Sequence, residues 1–431
     1  MSYSISWSRV STVGVCGALF SLLSIDDLAA QPDSDAAIPG NAPARALLEE
    51  KEEKKDQREE PEPDAAEQDI CDAGFMNLKI LPDHCYENQK KFEYAILPGV
   101  FVQKETSLGF GLYLESSFYI DKSDEKTQAS RASLAGAYTL NQQYLIKFTS
   151  LFNFKGNDWV LDGFADFRHY PNRYYGIGND TSWDYQVYSE DVLSFFYEGR
   201  RRIWDNLYLG LVWNLRATTA FSEEQAITAD GEESDDPTLE KLTNDDPLGT
   251  SRNLSQGLGG EIAYDSRDNV VYPHRGGYYR SWLVGYGPHL GGDFSYINWT
   301  VDARHYFTTW PKQVLALQIL SEFRSGEVPF SSMSELGDPF QMRGYFKGRY
   351  RDRNMLLMQA EYRFPIVWRL SGTVFADLGE VYGNEPFDLK LLRWTAGAGL
   401  RFLFGKQTYV RLDLGASSET VAFIFNGGQA F

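Results

Sequence analysis

The sequence predicts an all-β fold, a sixteen-stranded antiparallel transmembrane β-barrel with one extracellular loop folded inward. Three observations lead there. From residue 92 to 431, segments of barrel-strand length alternate apolar and polar residues, separated by turn chemistry. A hydrophobic content of 43%, with 15% aromatic residues and 38 glycines, coexists with a mean hydropathy of −0.39, as it does when strands face lipid on one side and water on the other. Beyond the N-terminus no run of about 18 apolar residues occurs, which excludes helical spans. Length alone, at 431 residues, suggests two or three soluble domains, but barrels exceed the usual domain size as one unit.

Residues 1–30 carry Arg9, then an apolar, small-residue stretch over 10–23, and end in Leu28-Ala29-Ala30, the pattern of a cleaved secretory signal peptide. Lipidation at Cys16 is disfavoured by the preceding Val15. Residues 31–91 form an acidic periplasmic tail. Its charge density over 31–69 predicts disorder, with a transient helix over 47–58 held by Glu and Lys neighbours. Cys71 and Cys85, with thirteen residues between them, suit a disulfide in an exported protein, contributing roughly 3 kcal/mol by loop closure; two free thiols are the alternative. With only His84 nearby, a metal site lacks ligands, and no cofactor is expected. A net charge of −19 argues against a nucleic-acid partner.

Sixteen strand candidates follow, with cores at 93–102, 107–120, 129–139, 142–154, 157–168, 186–200, 205–219 and 253–264 in the first half. The second half places them at 276–287, 293–308, 313–324, 355–366, 371–382, 394–404, 407–416 and 420–431. An even count suits a bacterial barrel. Alternation is clearest near the C-terminus, where Gln359, Glu361 and Arg363 share one face and Met358, Ala360, Tyr362 and Phe364 the other. Arg411 and Asp413 likewise oppose Val410, Leu412 and Leu414. A soluble β-sandwich would also hide one face, but strand length, strand number and the leader favour the membrane. With a periplasmic N-terminus, connections after odd strands face outward, which puts 220–252 and 335–354 outside.

The second of these segments, ELGDPFQMRGYFKGRYRDRN, carries Met342-Arg343-Gly344-Tyr345. Arg343 stands beside a glycine that permits a tight turn, and its guanidinium can fork onto carboxylates. Asp377 is its best partner and Glu361, inward on the adjacent strand, the second. A shielded pair of this kind would cost about 3 to 5 kcal/mol to break, and a wet one nearer 1. A solvated basic loop with Lys347, Arg349, Arg351 and Arg353 is the plainer alternative.

These residues resemble the BamA/TamA-like outer-membrane assembly barrels, the bacterial surface antigen family, over 92–431. Met342-Arg343-Gly344-Tyr345 is similar to that family's VRGF/Y motif on the sixth external loop, which folds into the lumen. Phe375-Ala376-Asp377-Leu378-Gly379 is similar to its F-x-D-x-G motif on the thirteenth strand, with Asp377 and Gly379 at the motif positions. Asp265, Arg267, Asp268, Pro273 and Gly276 are similar to its D-x-R-D…P-x-x-G periplasmic turn. Arg411, Asp413 and Gly415 lie in a matching lumenal strand segment. Phe431, a terminal aromatic, resembles the signal read by the barrel assembly machinery, although Gln429 departs from it. The family's weakly paired seam between first and last strands would find little side-chain packing at Gly427-Gly428. Full-length relatives carry periplasmic POTRA domains, whereas residues 31–91 show no such helix-and-strand pattern, so the resemblance implies a barrel lacking them.

An enzyme is not expected. The histidines His84, His169, His274, His289 and His305 lack a His-x-Ser arrangement and no G-x-S-x-G elbow occurs. His305 reads instead as part of an aromatic belt with Tyr306 and Phe307. The resemblance implies outer-membrane localisation, an insertion or translocation role for proteins or lipids, and outer-membrane lipid, client proteins and the assembly machinery as partners. A channel or structural barrel with a loop plug is the alternative.

Overall fold

A computed structural model of the chain describes residues 92–431 apart from 104–106, 122–126, 141, 271, 384–385 and 405–407. The expected signal peptide over 1–30, the acidic tail over 31–91 and the Cys71–Cys85 pair lie outside the described residues.

Among the described residues sixteen wall strands run in chain order. They are β1 Glu93–Gln103, β2 Ser107–Phe118, β3 Ser130–Thr139, β4 Tyr144–Phe154, β5 Trp159–Tyr174, β6 Tyr185–Trp204, β7 Leu207–Ile227 and β8 Asn253–Asp265. The second half comprises β9 Gly276–Tyr286, β10 Tyr296–Trp310, β11 Gln313–Gly326, β12 Asn354–Val367, β13 Leu370–Tyr382, β14 Arg393–Phe404, β15 Thr408–Ser417 and β16 Val421–Gly427. Each pairs antiparallel with the next, so the wall is a continuous meander. Among the described residues no ladder joins β1 to β16. Pro98 sits within β1 opposite Leu112, a place for a residue without an N–H on a strand whose described ladder lies on one side only.

Polar residues fill the inside and apolar residues cover the outside. Glu198, Glu261, Thr300, Asp302, Gln318, Glu361, Asp377, Arg401 and Asp413 are buried, while Leu211, Leu258, Leu283, Ile297, Ile319, Val374, Leu400 and Leu414 are exposed. No soluble sandwich hides its charges and presents its leucines to water. The alternation requires this inversion once the sheet surrounds a polar lumen in lipid.

Differences from the sequence expectation fall at the strand ends. β6 runs past the predicted limit of 200 at one rim, where Ile203 and Trp204 are exposed. At the opposite rim β5 and β7 run past the predicted limits of 168 and 219, because the projecting ends are covered rather than wet. Tyr174, Tyr188, Leu242 and Phe330 form a buried cluster there, packed by Phe221. Residues 220–252 are therefore partly strand and partly a folded cap. Glu233–Ser234 pairs back onto β7, and the helical turn Lys241–Asp245 is held by Gln186 Oε1, which accepts from the Leu242 amide at 2.7 Å. At the other end of the chain β16 stops at Gly427, not at residue 431. Phe431 thus leaves the wall and packs inward against Tyr306, Val314 and Ala316. Tyr306 also departs from the expected belt: it is buried in the lumen, whereas Phe307 is exposed and lies 4.3 Å from the His305 ring.

Candidate functional site

The connection between β11 and β12 enters the barrel. It begins as a two-stranded hairpin in which Ser334–Leu336 pairs with Tyr350–Asp352. Beyond it, residues 337–349 descend to the inner face of β12–β15. Apolar packing fixes the depth, since Leu336, Met342, Tyr345 and Tyr350 form one cluster with Leu320, Met355, Leu357 and Val381 of the wall. Three or four such side chains leaving water supply roughly 1.5 to 3 kcal/mol each.

Arg343 sits at the bottom of this descent and is fully buried. Its Nη1 donates to Glu361 Oε2 at 2.7 Å, its Nη2 to Asp377 Oδ1 at 3.2 Å, and Nη1 also reaches Asp413 Oδ2 at 3.5 Å. The backbone amide of Arg343 and its Nε both point at Asp377 Oδ2, each at 3.4 Å. Beneath the guanidinium lies the Phe375 ring, 3.5 Å from Cζ to centroid. Burying one cation costs several kcal/mol, which only this density of charge-assisted hydrogen bonds offsets. Each carboxylate has further partners. Glu361 receives Arg363 Nε at 2.8 Å and Arg401 Nη2 at 3.3 Å, Asp413 pairs with Arg401, and Thr395 Oγ1 donates to Asp377 at 3.1 Å.

The chain around Arg343 is shaped to let it in. Gly344 has φ +129°, a conformation that L side chains rarely adopt, and its backbone lies against Gly415 and Ala416. A Cβ on Gly415 would run into the Arg343 carbonyl oxygen. Gly379 opens room for Leu336 and Met342. Tyr345 Oη reaches Ser418 Oγ at 3.1 Å, and Arg411 Nη2 donates to the Pro339 carbonyl at 2.7 Å. Arg349 and Arg351, far from being a solvated fringe, are buried. Arg349 clamps Glu419 at 2.9 Å and Arg351 pairs with Glu335.

The structure therefore brings together Met342, Arg343, Gly344, Tyr345, Glu361, Asp377, Gly379, Arg411, Asp413 and Gly415. Asp265, Arg267, Asp268, Pro273 and Gly276 form a separate unit at the opposite rim. There Arg267 forks onto Asp265 at 2.9 and 2.7 Å, and Asp268 Oδ1 accepts the amides of His274 at 2.9 Å and Arg275 at 3.2 Å. Burial alone would raise the Asp268 carboxyl, but those amides outweigh it and hold it below its ordinary range. Gly276, at φ +96°, closes the turn with its Cα against Ser266. Arg363 and Phe375 are site residues that pattern reading placed inward or quoted within a motif without giving them a role in the dock, and Arg401 is one that it did not name.

A lipid-facing barrel with a charged lumen and a loop locked to its inner wall is a plugged outer-membrane barrel. Residues 100–431 match the family model described as the Omp85 superfamily domain, and the chain belongs to that superfamily. Barrels of this superfamily lie in the outer membrane of Gram-negative bacteria, where they insert or translocate proteins. Three solved structures are similar. BamA from Haemophilus ducreyi lacking POTRA domains 1-3 shares 16% identity over 79% of this chain and 70% of that one, with a TM-score of 0.47. CdiB from Acinetobacter baumannii shares 11% over 79% and 59%, with a TM-score of 0.49. Wzi, a carbohydrate-binding barrel of Escherichia coli capsule assembly, shares 10% over 78% and 80%, with a TM-score of 0.31. No curated protein matches the chain in a sequence comparison.

Proposed function

We propose that this barrel aids the insertion or translocation of proteins, or of lipids, at the outer membrane, by a conformational route with no covalent step. The observation that carries this reading is the Arg343 dock, buried to 0% exposure on three carboxylates, in a chain of the Omp85 superfamily. It holds a loop inside the lumen while, among the described residues, no ladder closes β1 onto β16. A wall that the docked loop holds firm at β12–β15 can part laterally at the β1–β16 seam without losing its fold. Asp377 and Glu361 serve as the loop's anchors, the Asp265–Gly276 turn as a rim brace, and Phe431 as part of the signal by which the assembly machinery inserts the chain. Outer-membrane lipid and client proteins are the partners.

A disulfide engineered between β1 and β16 tests the mechanism. Insertion or secretion of clients should stop when the bond forms and return on reduction. Undiminished activity with the seam locked would favour a channel instead. One observation speaks for that second reading, a polar cavity of about 220 Å³ beside the hairpin, lined by Arg168, Arg216, Arg324, Glu190, Glu335 and Lys347 among others. Solute conductance that survives the lock would then be its signature.

A further inference from the structure

The turn between β8 and β9 lies across the lumen mouth. Its tip residue Tyr272 stacks on Tyr409 of β15, on the far wall, with ring centroids 4.9 Å apart and planes at 15°. A turn that reaches so far needs a stiff base, and the Arg267–Asp265 fork, the Asp268 amide contacts and the Tyr272 amide donating to Asn269 Oδ1 at 3.0 Å supply it. Phe431 enters the same space from the chain's other end. Between them stands Arg363, whose guanidinium carbon lies 5.8 Å from each of the rings of Tyr272, Tyr306 and Phe431. Arg363 Nη2 donates to the Phe431 carbonyl at 3.0 Å, and its Nε donates to Glu361 Oε1 at 2.8 Å. Glu361 is the carboxylate whose other oxygen receives Arg343.

We propose that Arg363 is a positioning residue that couples a floor at the periplasmic mouth, built from Tyr272 at the turn's tip and Phe431, to the loop dock through the shared carboxylate Glu361. A rigid guanidinium bonded at one edge to the floor and at another to Glu361 has one orientation that satisfies both. Loss of the floor lets Arg363 turn, removes one of the bonds that orient Glu361, and weakens the grip on Arg343. Opening from the periplasmic side is thereby felt at the external plug. The inference deepens the insertion reading above, but its test needs no client, so the two fail separately.

The full chain, free of native cysteines and bearing Met342→Cys, provides the readout, because residue 342 is fully buried when the loop is docked. In lipid vesicles a small water-soluble maleimide labels that thiol only on undocking. Tyr272→Ala, a change outside the dock, should raise the labelling rate by roughly tenfold, within the ordinary range of coupling between sites. Arg363→Lys, which keeps the charge and loses the fork, should do the same. Their combination should equal Arg363→Lys alone, since both act through one residue. Arg202→Ala, which breaks the Arg202–Asp158 pair elsewhere on that rim, should leave the rate unchanged. An unchanged rate with Tyr272→Ala, additive effects in the double variant, or an equal rise with Arg202→Ala would each overturn the coupling.

Discussion

Arg343 offers five N–H donors in a fixed plane, and the lumen presents Glu361, Asp377 and Asp413 within reach of that plane. All four groups are fully buried, so removing the cation leaves Asp377 with the Thr395 hydroxyl but without its guanidinium, and takes one partner each from Glu361 and Asp413, where no water can replace it. Arg343→Ala should therefore destabilise the docked barrel by about 3 to 5 kcal/mol. Heat-modifiable migration on semi-native gels will register this as a lower conversion temperature. Asp377→Ala should act likewise and the double variant non-additively, with full additivity ruling out direct coupling. Arg343→Lys should rescue little, since one ammonium cannot face three carboxylates at once. Gly415→Ala tests the close approach: its Cβ would meet the Arg343 carbonyl, and a backbone shift of that kind costs typically 1 to 3 kcal/mol on the same gels. Alternation with a period of two put Glu361, Arg363 and Asp413 on the inner face from sequence alone. Which of them touches Arg343 depends on how deep the loop descends, and that depth is set by the packing of Met342 and Tyr345 on Leu357 and Val381, which no local pattern encodes.

The loop's hairpin is an element in its own right, and Glu335 with Arg351 is its cross-strand pair. Burial works to raise the Glu335 carboxyl, but Arg351 and the cations around it outweigh burial and hold it at about 2, down from 4.5. The sign follows directly. A depressed folded value means the stabilisation is complete above pH 4.5, declines as pH falls below that, and is gone once pH has fallen through about 2. The fraction of barrel converted by heating at a fixed sub-midpoint temperature before semi-native electrophoresis should stay low from pH 7 down to about 4 and rise below about 3. Glu335→Gln, which cannot ionise, should abolish that rise, whereas a rise already complete at pH 4 would assign docking to other groups. The wall strands were legible because lipid outside and charge inside enforce a strict alternation over their whole length. Their ends were not. Pro171 in β5 breaks the expected pattern, yet the strand continues to Tyr174 because Phe330 of the inward loop covers it. Phe431 was read as wall and lies in the lumen, where Arg363 and an apolar pocket claim it.

At the scale of the whole molecule the barrel is an inverted protein. Its charges are shared among neighbours in a narrow lumen, and its leucines and isoleucines face outward, where water would penalise them and lipid does not. That inversion makes the surrounding bilayer part of the folding energetics, and it separates two kinds of position on one strand. Ile319 lies at the middle of β11 and points outward, half exposed in the isolated chain, while its neighbour Gln318 is buried and donates to Asp302 Oδ1 at 2.8 Å. On a soluble protein, an exposed Ile→Arg change would alter stability by no more than about 0.5 kcal/mol. In hydrocarbon at mid-depth the same change costs roughly 2 to 4 kcal/mol. Ile319→Arg should accordingly lower the urea midpoint of the vesicle-embedded barrel by an amount matching the larger figure. Arg393, already paired near the long-loop rim through the Asn179 carbonyl at 2.6 Å, gives the contrast, since Arg393→Ala should move the midpoint far less. A midpoint indifferent to Ile319→Arg would mean that this face does not meet lipid, and the outward apolar belt would then need a partner protein to cover it.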